Sequence, residues 1–101
     1  MYGVPYYVYM LRCADGSFYV GVTNDVERRV AEHNLGIIES AYTHDRRPVV
    51  LVHASAFREV AQAIAWEKQL KGWSRAKKRA LIENDWEAIR RLARGPSTSS
   101  G

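Results

Sequence analysis

The sequence predicts a small α+β domain, a three-stranded antiparallel sheet flanked by helices, and three observations lead there. YYVYMLRCADGSFYVGV, from Tyr6 to Val22, reads as two strands about a turn. PVVLVHAS, from Pro48 to Ser55, is β-branched and opened by a proline that cannot donate to a ladder, which suits a strand start. Stretches of helical period follow each of these. The expected order is β-β-α-β-α-α, with a short last helix after it.

The turn of the first hairpin fixes its faces. If Ala14, Asp15 and Gly16 form a three-residue loop, a type I turn plus a glycine in the left-handed region, the strands pair as a G1-bulge hairpin. Alternation then puts Tyr7, Tyr9 and Leu11 on one side with Tyr19, Gly21 and Thr23, and Val8, Met10, Phe18, Val20 and Val22 on the other. The second face is core. The first carries phenols, a hydroxyl and a bare glycine. A two-residue Asp15-Gly16 turn would instead send Tyr9 and Tyr19 to opposite faces.

In TNDVERRVAEHN, Asn24 is the expected cap of a helix from about Asp25 to Asn34, with Glu27 completing a capping box. Val26 and Val30 mark its buried stripe, Arg29 and His33 run along the edge of that stripe, and Arg28 points away. Leu35 to Arg47 has no clean period and reads as a surface loop. Phe57, Val60, Ile64 and Leu70 mark a helix ending near Gly72. Ser74 caps the next, which ends near Asn84, and Asp85 caps WEAIRRLAR.

A chain of 101 residues, 47% hydrophobic, is one domain by length, and near this size roughly two-thirds of the unfolded surface is buried. That domain is expected to span residues 1–94, leaving GPSTSSG at 95–101 as a flexible tail. Cys13 is the sole cysteine. It excludes a disulfide framework and a cysteine-rich zinc site within the chain, and a cytoplasmic, monomeric protein is expected. No apolar run approaches a membrane span. The net charge of +4 makes a polyanion the first partner to consider.

Glu67 lies three after Ile64 and three before Leu70, a slot where an amphipathic helix normally carries leucine. A carboxylate there needs a cation, whether a neighbouring basic side chain or a metal ion. Lys68, Lys71, Arg75, Lys77, Lys78 and Arg79 gather at the junction of the two later helices, interleaved with Trp66 and Trp73. Such a run is a solvated face or a track for a phosphate backbone. There is no Walker-type loop and no HExxH, which argues against a nucleoside triphosphatase or a zinc enzyme.

The ordered set Tyr7-Val8-Tyr9, Tyr19-Val20-Gly21, Thr23-Asn24, Arg28-Arg29, His33-Asn34 and Glu67 resembles the GIY-YIG nuclease superfamily, and its small stand-alone, URI-type branch above all. That branch's pattern also includes YTxxRxPVxLV, here Tyr42 to Val52, and a glutamate followed by KxWxRxKKxxLI, here Glu67 and then Lys71 to Ile82. The resemblance spans residues 6–84. It implies an endonuclease hydrolysing phosphodiester bonds with Mg²⁺ or Mn²⁺ held by Glu67, in DNA before RNA, in repair or processing. Carried over by position, the catalytic set is Tyr9, Tyr19, Arg29, His33 and Glu67, with Asn84 matching a late asparagine; Lys68, Lys71, Arg75, Lys77 and Lys78 would meet the nucleic acid. One tyrosine, as phenolate, would take the proton of the attacking water, and a phenol of ordinary pKa about 10 would need cationic surroundings to serve. Arg29 would stabilise the developing oxyanion. Three departures stand out: Tyr7 replaces the first motif's glycine, Val22 stands where excision-repair relatives carry lysine, and Gly36 to Ala41 lacks their lysines. A non-cleaving nucleic-acid-binding module on the same fold is the competing reading, and a protein-interaction domain built on Trp66, Trp73 and Trp86 comes third.

Overall fold

A computed structural model describes residues 5–38 and 42–93. The tail expected at 95–101 and residues 39–41, the second half of the 36–41 loop, lie outside the described residues. The elements are β1 (Tyr6–Arg12), β2 (Phe18–Thr23), α1 (Val26–Leu35), a 3₁₀ turn (His44–Arg46), β3 (Val50–Phe57), α2 (Val60–Lys71), α3 (Arg75–Ile82) and α4 (Trp86–Ala93). The backbone forms two compact units, residues 1–71 and 72–101.

The first unit holds an antiparallel sheet in the order β2-β1-β3. Tyr9 lies opposite Gly21, and Leu11 opposite Tyr19. This is the register of the three-residue loop: Cys13 N donates to Ser17 O, Gly16 N to Cys13 O, and Gly16 takes φ 85°, where L side chains are disfavoured. The phenols therefore share a face with Gly21, as the turn chemistry predicts. β1 pairs on its other edge with β3, with a bulge between Met10 and Leu11.

The two faces are covered differently. Val8, Met10 and Val20 are buried on one, and α2 runs against all three strands. On the other, Tyr9, Leu11, Cys13 and Val49 form a cluster on which Tyr19 and the Val26 and Val30 stripe of α1 pack.

Local chemistry shifts several predicted boundaries. The cap of α1 is Asp25, not Asn24: its Oδ1 accepts from Arg28 N, while Thr23 Oγ1 accepts from Asp25 N. The Thr23 hydroxyl settles which of two adjacent cap formers enters the helix first, and Glu27 is left one position short of a capping box. Gly36, at φ 75°, closes α1 by donating to the carbonyls of Glu32 and His33. Phe57 belongs to β3, paired with Tyr6, because β3 runs two residues beyond Ser55. The buried stripe of α2 is consequently Ala63 and Leu70, with Val60 and Ile64 exposed. Glu67 lies within that stripe, one turn after Ala63. The segment expected as plain loop contains the 3₁₀ turn at His44–Arg46.

In the second unit α3 and α4 pack together, each capped as predicted. Ser74 Oγ accepts from Lys77 N, and Asp85 Oδ1 from Ala88 N. Asn84, at φ 60°, accepts from Trp86 Nε1.

Candidate active site

Glycine opposite a tyrosine creates the floor of the site. A Cβ on Gly21 would sit 2.7 Å from the Tyr9 hydroxyl, so the Tyr9 ring lies across space that any other residue would fill. Thus placed, Tyr9 is 1% exposed, and its hydroxyl is 2.9 Å from His33 Nε2. The other imidazole nitrogen, Nδ1, is 2.6 Å from Thr43 Oγ1. His33 and Thr43 are as buried as Tyr9. A three-member polar chain, Tyr9 to His33 to Thr43, thus runs through the interior of this face, each member satisfied by the next.

Tyr19 completes the ring cluster. Its centroid is 6.1 Å from that of Tyr9 and 5.1 Å from that of His33, edge-on to the imidazole. Unlike Tyr9 it is half-buried. Arg29 approaches from α1, with its side chain 36% exposed. Its Nε lies 3.1 Å from Glu32 Oε1 but out of hydrogen-bonding alignment, which leaves a buried donor unsatisfied.

Burial sets the protonation of the cluster. It pushes the Tyr9 phenol well above the ordinary tyrosine range, the neighbouring Tyr19 adds to the rise, and the Arg29 guanidinium opposes it without overcoming it. The expectation that cationic surroundings would depress a motif phenol fails at Tyr9, because one guanidinium does not offset loss of water around the whole ring. Burial also lowers His33, with Arg29 adding to the effect, so its imidazole is neutral at pH 7.

Four of the five predicted catalytic residues, Tyr9, Tyr19, Arg29 and His33, thus meet in one cluster. Glu67 makes no direct contact with them among the described residues. Its side chain is 18% exposed and its carboxylate is paired at 3.0 Å with Lys71, one turn on, the ordinary ion pair that the sequence also allowed. Among the described residues no hydrogen bond, ion pair or ring contact joins Glu67 to the other four, and no three potential metal ligands gather. One carboxylate remains a suitable donor set for Mg²⁺, which keeps several waters and uses one or two carboxylates.

The predicted nucleic-acid residues divide in the same way. Lys71 is held by Glu67, Lys77 Nζ lies 4.3 Å over the Trp73 ring, and burial lowers the pKa of Lys78. Lys68 is exposed. Sequence reasoning missed Tyr42, Thr43 and Arg46, whose signal was the YTxxRxPVxLV stretch, and the bracing role of Asn34. Asn34 Oδ1 accepts from Val49 N at 2.7 Å and Nδ2 donates to Val49 O at 3.0 Å. That pair of bonds ties the end of α1 to the start of β3.

The model of the GIY-YIG catalytic domain matches residues 5–80. The chain belongs to the GIY-YIG family. Within this nuclease family, a UPF0213 protein of Halobacterium salinarum is 46% identical over 77 residues, covering 76% of this chain and 99% of its own length. One from Bacillus pumilus is 44% identical, with 77% and 79% covered. Two solution NMR structures share the GIY-YIG fold seen here. A UPF0213 protein from Bacillus halodurans has TM-score 0.51 and 40% identity, covering 92% of this chain and 89% of that one. A protein from E. faecalis has TM-score 0.56 and 34% identity, with 82% and 88% covered.

Proposed function

We propose that this GIY-YIG protein is a divalent-metal-dependent endonuclease that hydrolyses phosphodiester bonds in nucleic acid, DNA before RNA, in repair or processing. It would act as a monomer in the cytoplasm. The observation that carries the reading is the buried, unsatisfied Nε of Arg29 beside two phenols and a neutral imidazole. Glu32 neutralises the guanidinium from 3.1 Å without completing a hydrogen bond to Nε, so the donor still gains from an anion placed in line with it. A phosphate satisfies that donor, and the negative charge that grows on its oxygens during hydrolysis is held by the same group.

Glu67 would hold the metal, displacing the exposed ammonium of Lys71. Bound there, Mg²⁺ or Mn²⁺ supplies Lewis acidity and charge neutralisation at a phosphate oxygen. Access divides the work of the tyrosines. Tyr19 is half-buried and is assigned to the attacking water and its proton. Tyr9, buried and held protonated, orients the cluster, its phenol donating to His33 Nε2.

One observation favours the competing reading of a non-cleaving binder: the Glu67 carboxylate is already paired with Lys71. Incubation with single-stranded, duplex, flap and junction substrates, with and without Mg²⁺ or Mn²⁺, decides between them. The nuclease reading expects metal-dependent nicking that is lost in Arg29→Ala and in Glu67→Ala; full cleavage by either folded variant sinks it. Binding without cleavage across the panel, together with NMR shifts that follow DNA and ignore metal, leaves the binder.

A further inference from the structure

Two consecutive residues of the segment after α1 each grip one ring of the cluster. Tyr42 stacks on Tyr19, with centroids 6.4 Å apart and planes inclined by 19°. Thr43 reaches inward to His33 Nδ1. Arg46 lies over the Tyr42 ring, its Cζ 3.8 Å from the centroid. Arg46 is fixed in turn, with Nη1 donating to Tyr42 O at 2.9 Å and Nε to Asp15 Oδ2 at 3.1 Å. Ala14 N donates to Arg46 O at 2.8 Å, so the segment is tied to the hairpin turn by backbone and side chain. These polar residues come from YTHDRRPVVLV, a stretch to which the catalytic set assigns no work.

We propose that Tyr42 and Thr43 are positioning residues, Tyr42 fixing the ring of Tyr19 and Thr43 fixing the tautomer of His33, with Arg46 and Asp15 as their anchor on the hairpin turn. The direction of the hydrogen bonds follows from acidity. A phenol, with pKa about 10, is a far better donor than an aliphatic hydroxyl, and the unprotonated imidazole nitrogen is the best acceptor available to it. Tyr9 therefore donates to Nε2, and His33 donates from Nδ1 to Thr43 Oγ1. The partner of the second nitrogen is what decides which tautomer an imidazole adopts. Thr43 holds His33 with Nε2 open toward Tyr9, and Tyr42 keeps Tyr19 from swinging out of the cluster.

The catalytic consequence rests on the nuclease reading; the geometric claim does not, and long-range ¹H–¹⁵N spectra of the histidines in the free protein test it directly. In the wild type His33 should carry its proton on Nδ1, and a proton on Nε2 overturns the proposal without recourse to any variant. Thr43→Val keeps the shape and removes the acceptor, so it should move the proton toward Nε2, while Thr43→Ser should restore Nδ1–H. A Val variant with the wild-type tautomer shows Thr43 to be a satisfied core hydroxyl only. Where the wild type nicks DNA, Thr43→Val should lower kcat by about 10²-fold with KM unchanged, and Tyr42→Ala should lower kcat where Tyr42→Phe does not. If the wild type nicks nothing, the nuclease reading fails while the His33 spectrum still decides this one.

Discussion

The two faces of the β1-β2 ribbon bury their residues by opposite means. On one, Val8, Met10 and Val20 leave water as apolar groups, a favourable transfer of about 25 cal/mol per Å² that asks for no particular partner. On the other, Tyr9, His33 and Thr43 are just as inaccessible, but each must find a hydrogen bond or cost stability. An unsatisfied Arg29 Nε remains beside them. Leu11, Cys13 and Val49 on the same side are apolar, so the polar chain is confined to the candidate site, and the contrast can be broken from either side.

The apolar side should give the largest change in stability. Met10→Ala empties a fully buried position and should cost about 2–5 kcal/mol by urea unfolding, with the ring cluster across the sheet keeping its NMR contacts. Gly21→Ala attacks the polar side. Its Cβ meets the Tyr9 hydroxyl, and overpacking of this kind costs about 1–3 kcal/mol, accompanied here by displacement of Tyr9 from His33. A smaller loss, about 1 kcal/mol, is expected for Tyr9→Phe, which deletes the hydrogen bond to His33 Nε2 and little volume. The smallest effect is that of pH. Burial lowers both His33 and His53, so below about pH 6.5 the unfolded chain takes up protons more readily than the folded one. Their contribution is complete above that value and fades as pH falls through the folded pKa values, which urea midpoints at stepped pH should show as a decline on acidification. A flat profile from pH 7.5 to 5 would contradict the burial of these imidazoles.

The same contrast explains what the sequence revealed. The register was legible in part: Ala14, Asp15 and Gly16 suit a three-residue loop, but Asp15-Gly16 also suits a two-residue turn, and the pairing of Cys13 with Ser17 decides between them. Glu67 was legible as a carboxylate in the buried stripe of α2, although its spacing could not say that Lys71 would be its cation. The cap at Asp25 was hidden because Asn24 caps equally well, and a hydroxyl two residues earlier decides. The end of β3 was hidden because Phe57 suits strand and helix alike, and its pairing with Tyr6 is a tertiary fact. Thr43 was the least visible. Its role depends on a hydrogen bond to a residue ten positions away, in a segment without periodicity, where only a recurring short pattern offered a hint.

The central claim is that the Tyr9, Tyr19, Arg29 and His33 face receives a phosphate whose charge Arg29 holds. The most direct measurement is nicking of a labelled flap duplex with Mg²⁺ or Mn²⁺ by the wild type and by Arg29→Ala, whose fold is verified by its NMR spectrum. Metal-dependent cleavage by the wild type, abolished in the variant, is the predicted result. Cleavage by Arg29→Ala at the wild-type rate would contradict the account.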